Sequence, residues 1–140
     1  MKKLTIFAFL TVLFLSACKK DTPTTTCTFN SSSVAGTYKI TSFIYKADAT
    51  SPEVETFTTF PDCQKDDLLT FISDGTYTVS EGTLSCNPST SDNGTWSIIG
   101  NNLVIDGETS EVLNFSCSGF KVKTTDTTTG ETFTITLAKQ

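Results

Sequence analysis

Histidine and arginine are both absent from the 140 residues, and tryptophan and methionine occur once each, as Trp96 and Met1. Each absence narrows what the chain can do. Without histidine, the side chain most often used as general acid–base and metal ligand is missing. Without arginine there is no bidentate reader of phosphate or guanine. The net charge is −5. An acidic chain lacking arginine argues against nucleic acid as a partner and against docking to acidic lipid head groups. Carboxylates and tyrosines remain, so catalysis is disfavoured but not ruled out, and the expectation is no enzyme, no cofactor and no metal. Long apolar runs are missing too. The one run present, residues 4–15, is too short to span a bilayer as a helix.

That run is informative for what surrounds it. Lys2 and Lys3 precede it as a basic flank, and Leu15-Ser16-Ala17-Cys18 follows. This pattern reads as a bacterial lipoprotein signal, residues 1–17, cleaved before Cys18. The Cys18 thiol would then carry diacylglycerol and the new N-terminus an acyl chain such as palmitate. Several acyl chains anchor stably where one does not. The expected location is the cell envelope, on the outer membrane, with periplasmic face and cell surface both open. Residues 18–33, rich in threonine, form the expected tether. Removing the leader leaves eight lysines against fifteen acids, a net charge of −7.

Beyond the tether, threonine and serine alternate with apolar residues, which is the signature of half-buried strands. Eight strands are expected, over 37–46, 67–72, 76–81, 94–98, 103–105, 110–116, 120–123 and 132–137. Tyr38, Ile40 and Ile44 share one face of the first, and Leu113 and Phe115 one face of the sixth. Residues 47–65 form a loop. Asp74-Gly75 reads as a two-residue hairpin turn. No window outside the leader has a helical period. Short strands joined mostly by short turns predict an all-β, up-and-down barrel of about eight antiparallel strands spanning residues 34–140.

Setting Cys18 aside leaves Cys27, Cys63, Cys86 and Cys117, an even number in an exported chain, hence two disulfides. With a two-residue loop at Asp74-Gly75, Ser73 faces Thr76, and the same register sets Cys63 opposite Cys86. Cys27–Cys117 follows by elimination. A four-cysteine zinc site competes, but no C-x-x-C pair is present.

The chain resembles the small lipocalin-like lipoproteins of Bacteroidetes. The residues that carry the resemblance are Gly36-Thr37-Tyr38, Cys63-Gln64-Lys65-Asp66-Asp67 with Leu69-Thr70-Phe71, Asp74-Gly75-Thr76-Tyr77, Glu81-Gly82, Cys86-Asn87-Pro88, Gly94-Thr95-Trp96 and Gly100-Asn101-Asn102-Leu103. The resemblance covers residues 36–140. It implies a meandering barrel and a Cys63–Cys86 bridge. One departure stands out: the lipocalin hallmark is Gly-x-Trp on the first strand with an arginine stacked on it, and here that position is Gly36-Thr37-Tyr38 with no arginine in the chain.

Two sets of residues are candidates for chemistry. Asp62, Asp66, Asp67 and Glu81 form an acidic cluster around the hairpin, where a calcium site competes with a solvated loop; no Asp-x-Asp-x-Asp-Gly loop supports the metal. Tyr38, Phe71, Tyr77, Trp96, Phe120 and Phe133 occupy the apolar phase of their strands and are the candidates to line a pocket. The expected function is a membrane-anchored, non-catalytic barrel holding a small apolar ligand. The alternative is a structural or interaction module of the envelope whose barrel is filled. Because no other segment can insert, Cys18→Ala should move the protein from the membrane fraction to the soluble one; retention of the variant on membranes washed at high salt would defeat the lipoprotein reading.

Overall fold

The computed structural model describes residues 26–140. The leader and the lipidation candidate Cys18 lie outside the described residues. Nine strands run in chain order: β1 (Gly36–Lys46), β2 (Val54–Glu55), β3 (Leu68–Phe71), β4 (Thr76–Ser80), β5 (Asp92–Ile99), β6 (Asn102–Ile105), β7 (Glu108–Ser116), β8 (Gly119–Thr125) and β9 (Thr132–Lys139). From β3 to β9 every strand pairs antiparallel with the next, and β9 returns to β1. The result is a closed, all-β, up-and-down barrel of eight strands. The two-residue β2 is an addition to the upper part of β1. Two four-residue helices, α1 (Ser31–Val34) and α2 (Asp62–Lys65), are too short to leave a helical period in the sequence.

Closure is uneven around the ring. β1 pairs with β9 from Tyr38↔Lys139 to Lys46↔Thr132, but with β3 only from Gly36↔Phe71 to Tyr38↔Leu69. Above Tyr38 the two strands part, and the segment with β2, the turn Phe57–Thr59 and α2 occupies the side of the gap. A meander alternates ends, so residues 47–67, 81–91, 106–107 and 126–131 gather at one end, and the start of β1 and the end of β9 lie at the other.

Three local features differ from the sequence expectation, one in register and two in facing. The hairpin loop has three residues, not two: the Ile72 amide donates to the Thr76 carbonyl (2.8 Å), and Gly75 takes the left-handed conformation at φ 92°. Phe71 therefore faces Tyr77, and the register differs by one residue from the expected one. A bulge between Ile40 and Ser42 turns Phe43 and Tyr45 inward opposite Ile135 and Phe133, so Ile44 points outward. A second bulge, between Val112 and Asn114, buries Val112 and leaves Leu113 exposed.

The end where β1 begins and β9 ends is shut. Val34 is fully buried, and the Tyr38 hydroxyl donates to its carbonyl at 2.8 Å. Lys139 lies over the Tyr38 ring, 5.5 Å from its centre, and its ammonium donates to the carbonyls of Ser33 and Ala35, each at 3.0 Å. Tyr38 and Lys139 thus fill the places that a first-strand tryptophan and its stacked arginine would take. Tyr38 also meets Phe71 and Phe120 edge-on, and Phe71 meets Trp96. The Trp96 indole N–H donates to the Ile72 carbonyl (2.9 Å), so this apolar layer leaves no polar handle unsatisfied. The Cys27–Cys117 bridge and the Phe29–Phe115 ring contact fasten the entering chain to the β7–β8 turn at the same end.

Tyr77 is pinned higher on the wall. Its hydroxyl donates to Asp106 (2.7 Å), whose other oxygen accepts the Thr95 amide (2.8 Å). A side chain at Gly94 would collide with this Asp106 carboxylate and the Tyr77 ring, which is why β5 carries glycine at this position. Those backbone and hydroxyl donors hold the Asp106 carboxyl below its ordinary range. The Asp106 hydrogen bond, aided by burial, pushes the Tyr77 hydroxyl up to about 12, and burial alone pushes Tyr38 to about 12.

Two outcomes follow from this packing. Phe71→Ala should lower unfolding stability in urea by about 3–5 kcal/mol, the usual cost of emptying an aromatic site in a packed layer; a loss under 1 kcal/mol would mean that the layer collapses onto the gap. Because both tyrosines are raised from 10.0 on folding, their contribution is complete below pH 10 and is lost as pH rises toward 12. Tyr77→Phe should therefore flatten the alkaline fall of the urea midpoint, and an unchanged slope would contradict the Tyr77–Asp106 assignment.

Candidate functional site

Above the aromatic layer the barrel is hollow. A cavity of about 430 Å³ runs up its interior, lined by Leu103, Ile105, Val122, Ile135 and Leu137, with Glu108, Ser110 and Thr124 toward the end bearing the long loops. A second cavity of about 250 Å³ lies in the gap between β1 and β3, walled by Phe60 and Val79 and edged by Gln64, Asp67 and Thr90. Ile40 and Leu69 line both. The two spaces therefore adjoin where β1 and β3 part, and the uneven closure of the barrel is what creates the side chamber. A shallower cavity of about 490 Å³, bordered by Glu108, Thr124 and Phe133, lies beside the mouth.

The cavity wall is mostly not the one the sequence suggested. Tyr38, Phe71, Trp96 and Phe120 are nearly fully buried and pack on one another beneath the main cavity, lining neither chamber. Tyr77 is buried and held by Asp106. Phe133 alone among the six reaches the mouth, where it stacks with Phe43 and Tyr45. The wall is aliphatic and sits one inward step along each strand: Ile40 after Tyr38, Leu69 before Phe71, Val79 after Tyr77, Val122 after Phe120, Ile135 after Phe133. In a strand, residues two apart share a face. The signal was therefore present in the sequence, in the second apolar residue of each inward pair. Phe60 belongs to the wall as well, touching Phe43 and Phe57, and no strand pattern marked it.

The acidic cluster near the hairpin is engaged by the chain itself. Asp66 accepts the amides of Thr83 (2.6 Å) and Leu84 (3.0 Å), and Glu81 those of Cys86 (3.2 Å) and Thr90 (3.1 Å). The Thr90 hydroxyl donates to Asp67 at 2.8 Å, and Lys65 pairs with Asp62 at 3.1 Å. Among the described residues no group of cysteines and carboxylates is arranged to hold a metal ion. These acids shape the loop over residues 81–91 around the Cys63–Cys86 bridge, whose Cα atoms are 5.3 Å apart. That bridge joins α2 to this loop, beyond the last ladder pair Leu68↔Ser80. The two cysteines are thus joined, but not by the ladder register that first suggested it.

Two buried oxygens are left over. The second carboxylate oxygen of Asp66 and that of Asp67 are shut from solvent and have no hydrogen-bond partner. Of the two residues, only Asp67 lines the side chamber. Among the described residues no lysine lines either chamber. Lys39, Lys121 and Lys123 occupy the outward phase of their strands, and Lys139 is committed to the shut end.

Searches among curated proteins and among solved structures return no significant match. The family profile of the lipocalin-like domain matches residues 34–138, the whole of the barrel from the buried Val34 to the last strand. By that match, and by a closed eight-stranded meander that agrees with it, the chain belongs to the lipocalin-like domain family.

Proposed function

We propose that this protein is a membrane-anchored, non-catalytic lipoprotein, of the kind found in Bacteroidetes, that holds one small, mainly apolar molecule in the upper half of its barrel. The observation that carries the binding reading is the division of the interior. The aromatic layer fills the lower part, and the space above it is walled by aliphatic side chains from β1, β3, β6, β8 and β9. An eight-stranded barrel is the size at which side chains either fill the interior or leave room for one small ligand. Here they do one in each half.

Anchoring fits the same geometry. The tether enters at the shut end and is fastened there by Cys27–Cys117. Nine residue steps separate Cys27 from Cys18, a reach of at most about 32 Å. A lipid on Cys18 would hold the shut end near the bilayer and turn the mouth away from it, toward the aqueous phase from which a ligand is taken.

Native mass spectrometry of the protein purified from its own cells tests this. Wild type should carry a mass above that of the chain, released on denaturation. Ile135→Trp, which places an indole in the main cavity, should reduce the loaded fraction by about tenfold or more. A bare mass in wild type, together with no binding from a panel of neutral hydrophobes, would favour the filled structural or interaction module instead.

A further inference from the structure

We propose that the ligand is an amphiphile with a cationic or hydrogen-bond-donating head group, an amine before an acid, and that Asp67 is the residue that receives this head. The proposal rests on the binding reading above and adds the chemistry of the occupant.

Three observations carry it. First, the polar edge of the side chamber is made of Gln64, Thr90 and Asp67, and the Thr90 hydroxyl is already turned to one oxygen of Asp67. The other oxygen has no partner and no surface open to water, so the carboxylate must turn to offer it, and a ligand that brings a donor then meets an acceptor the chain leaves unused. Second, the charge lining the two chambers is of one sign: Asp67 in the smaller, Asp106 and Glu108 in the larger, with no lysine in either among the described residues. The chain has no arginine or histidine to add. A fatty acid or other carboxylate would enter with nothing to neutralise it and would face like charge in a space of low dielectric. Third, Asp67 adjoins the apolar walls. Leu69 lies two residues on, and Ile40 and Leu69 continue from the side chamber into the main one. An apolar tail can extend along these residues while its head stays at Asp67. Asp106 does not compete for the head, because Tyr77 and Thr95 occupy both of its oxygens.

The test compares three probes of one tail length, octylamine, 1-octanol and octanoate, binding to the purified full chain and followed by the methyl NMR signals of Ile40, Leu69 and Val79. Octylamine should bind about tenfold or more tighter than octanoate, with octanol between, as expected when one charge-assisted hydrogen bond is gained. Asp67→Asn, which keeps an oxygen for Thr90, should bring octylamine to within about twofold of octanol and leave octanol unchanged. Octanoate binding as tightly as octylamine would overturn the head-group assignment while leaving the apolar cavity intact. So would an Asp67→Asn variant that keeps the amine preference. Failure of all three probes to shift those methyls would instead overturn the binding reading itself. Should Asp67→Asn fail to fold, the order of the three probes on wild type decides alone.

Discussion

Tyr38 stands where three requirements of this barrel meet. Its ring joins the aromatic layer through Phe71 and Phe120, its hydroxyl ties α1 to the barrel through the Val34 carbonyl, and its face carries Lys139 from the last strand. It also sits on β1 where that strand is paired on both sides, with Lys139 and with Leu69. One residue thus closes the seam of the barrel, seals one end and sets the floor of the cavity. A ring that is buried with its one polar group satisfied can do all three without leaving an unmet donor. The hollow above exists because β1 and β3 part immediately beyond this point.

The sidedness of the molecule follows from that floor. Short turns, the C-terminus and the Cys27–Cys117 bridge lie at the sealed end. The longer loops, the Cys63–Cys86 bridge and the acids that hold residues 81–91 lie near the open one. Each bridge constrains one end: the first fixes the entering chain beneath the floor, the second braces the loop that edges the side chamber. Of the acids near the hairpin, Asp66 and Glu81 accept backbone amides, Asp67 accepts the Thr90 hydroxyl and Asp62 pairs with Lys65. One buried oxygen each on Asp66 and Asp67 is left without a partner, and of the two residues Asp67 lines the side chamber.

Much of this architecture could be read from the chain, and the misreadings have specific causes. Strict alternation of threonine with apolar residues marked the strands, and the spacing of turns marked the meander. Faces went wrong where one extra residue entered a strand, at the bulge after Ile40 and at the bulge at Leu113; the three-residue loop at Gly75 shifted only the cross-strand register and left Phe71 and Tyr77 facing inward as expected. A bulge has no dependable sequence signature, yet it inverts every inward assignment beyond it. The site was legible only in part for a different reason. Large aromatics are the most conspicuous apolar residues, and here they fill volume. The smaller Ile40, Leu69, Val79, Val122 and Ile135, one step further along the same faces, leave the volume open. The absence of arginine suggested a first strand without its stacking partner; Lys139, more than a hundred residues away, supplies it, and no local pattern could have paired the two.

A barrel filled below and holding a ligand above should show itself in an electron-density map of the protein isolated from its own cells. Continuous non-protein density should lie above the aromatic layer, running between Ile40, Leu69 and Leu137, with its polar end within hydrogen-bonding distance of Asp67. Side chains from β6, β8 and β9 closed over the same space, with no density but their own, would contradict this arrangement.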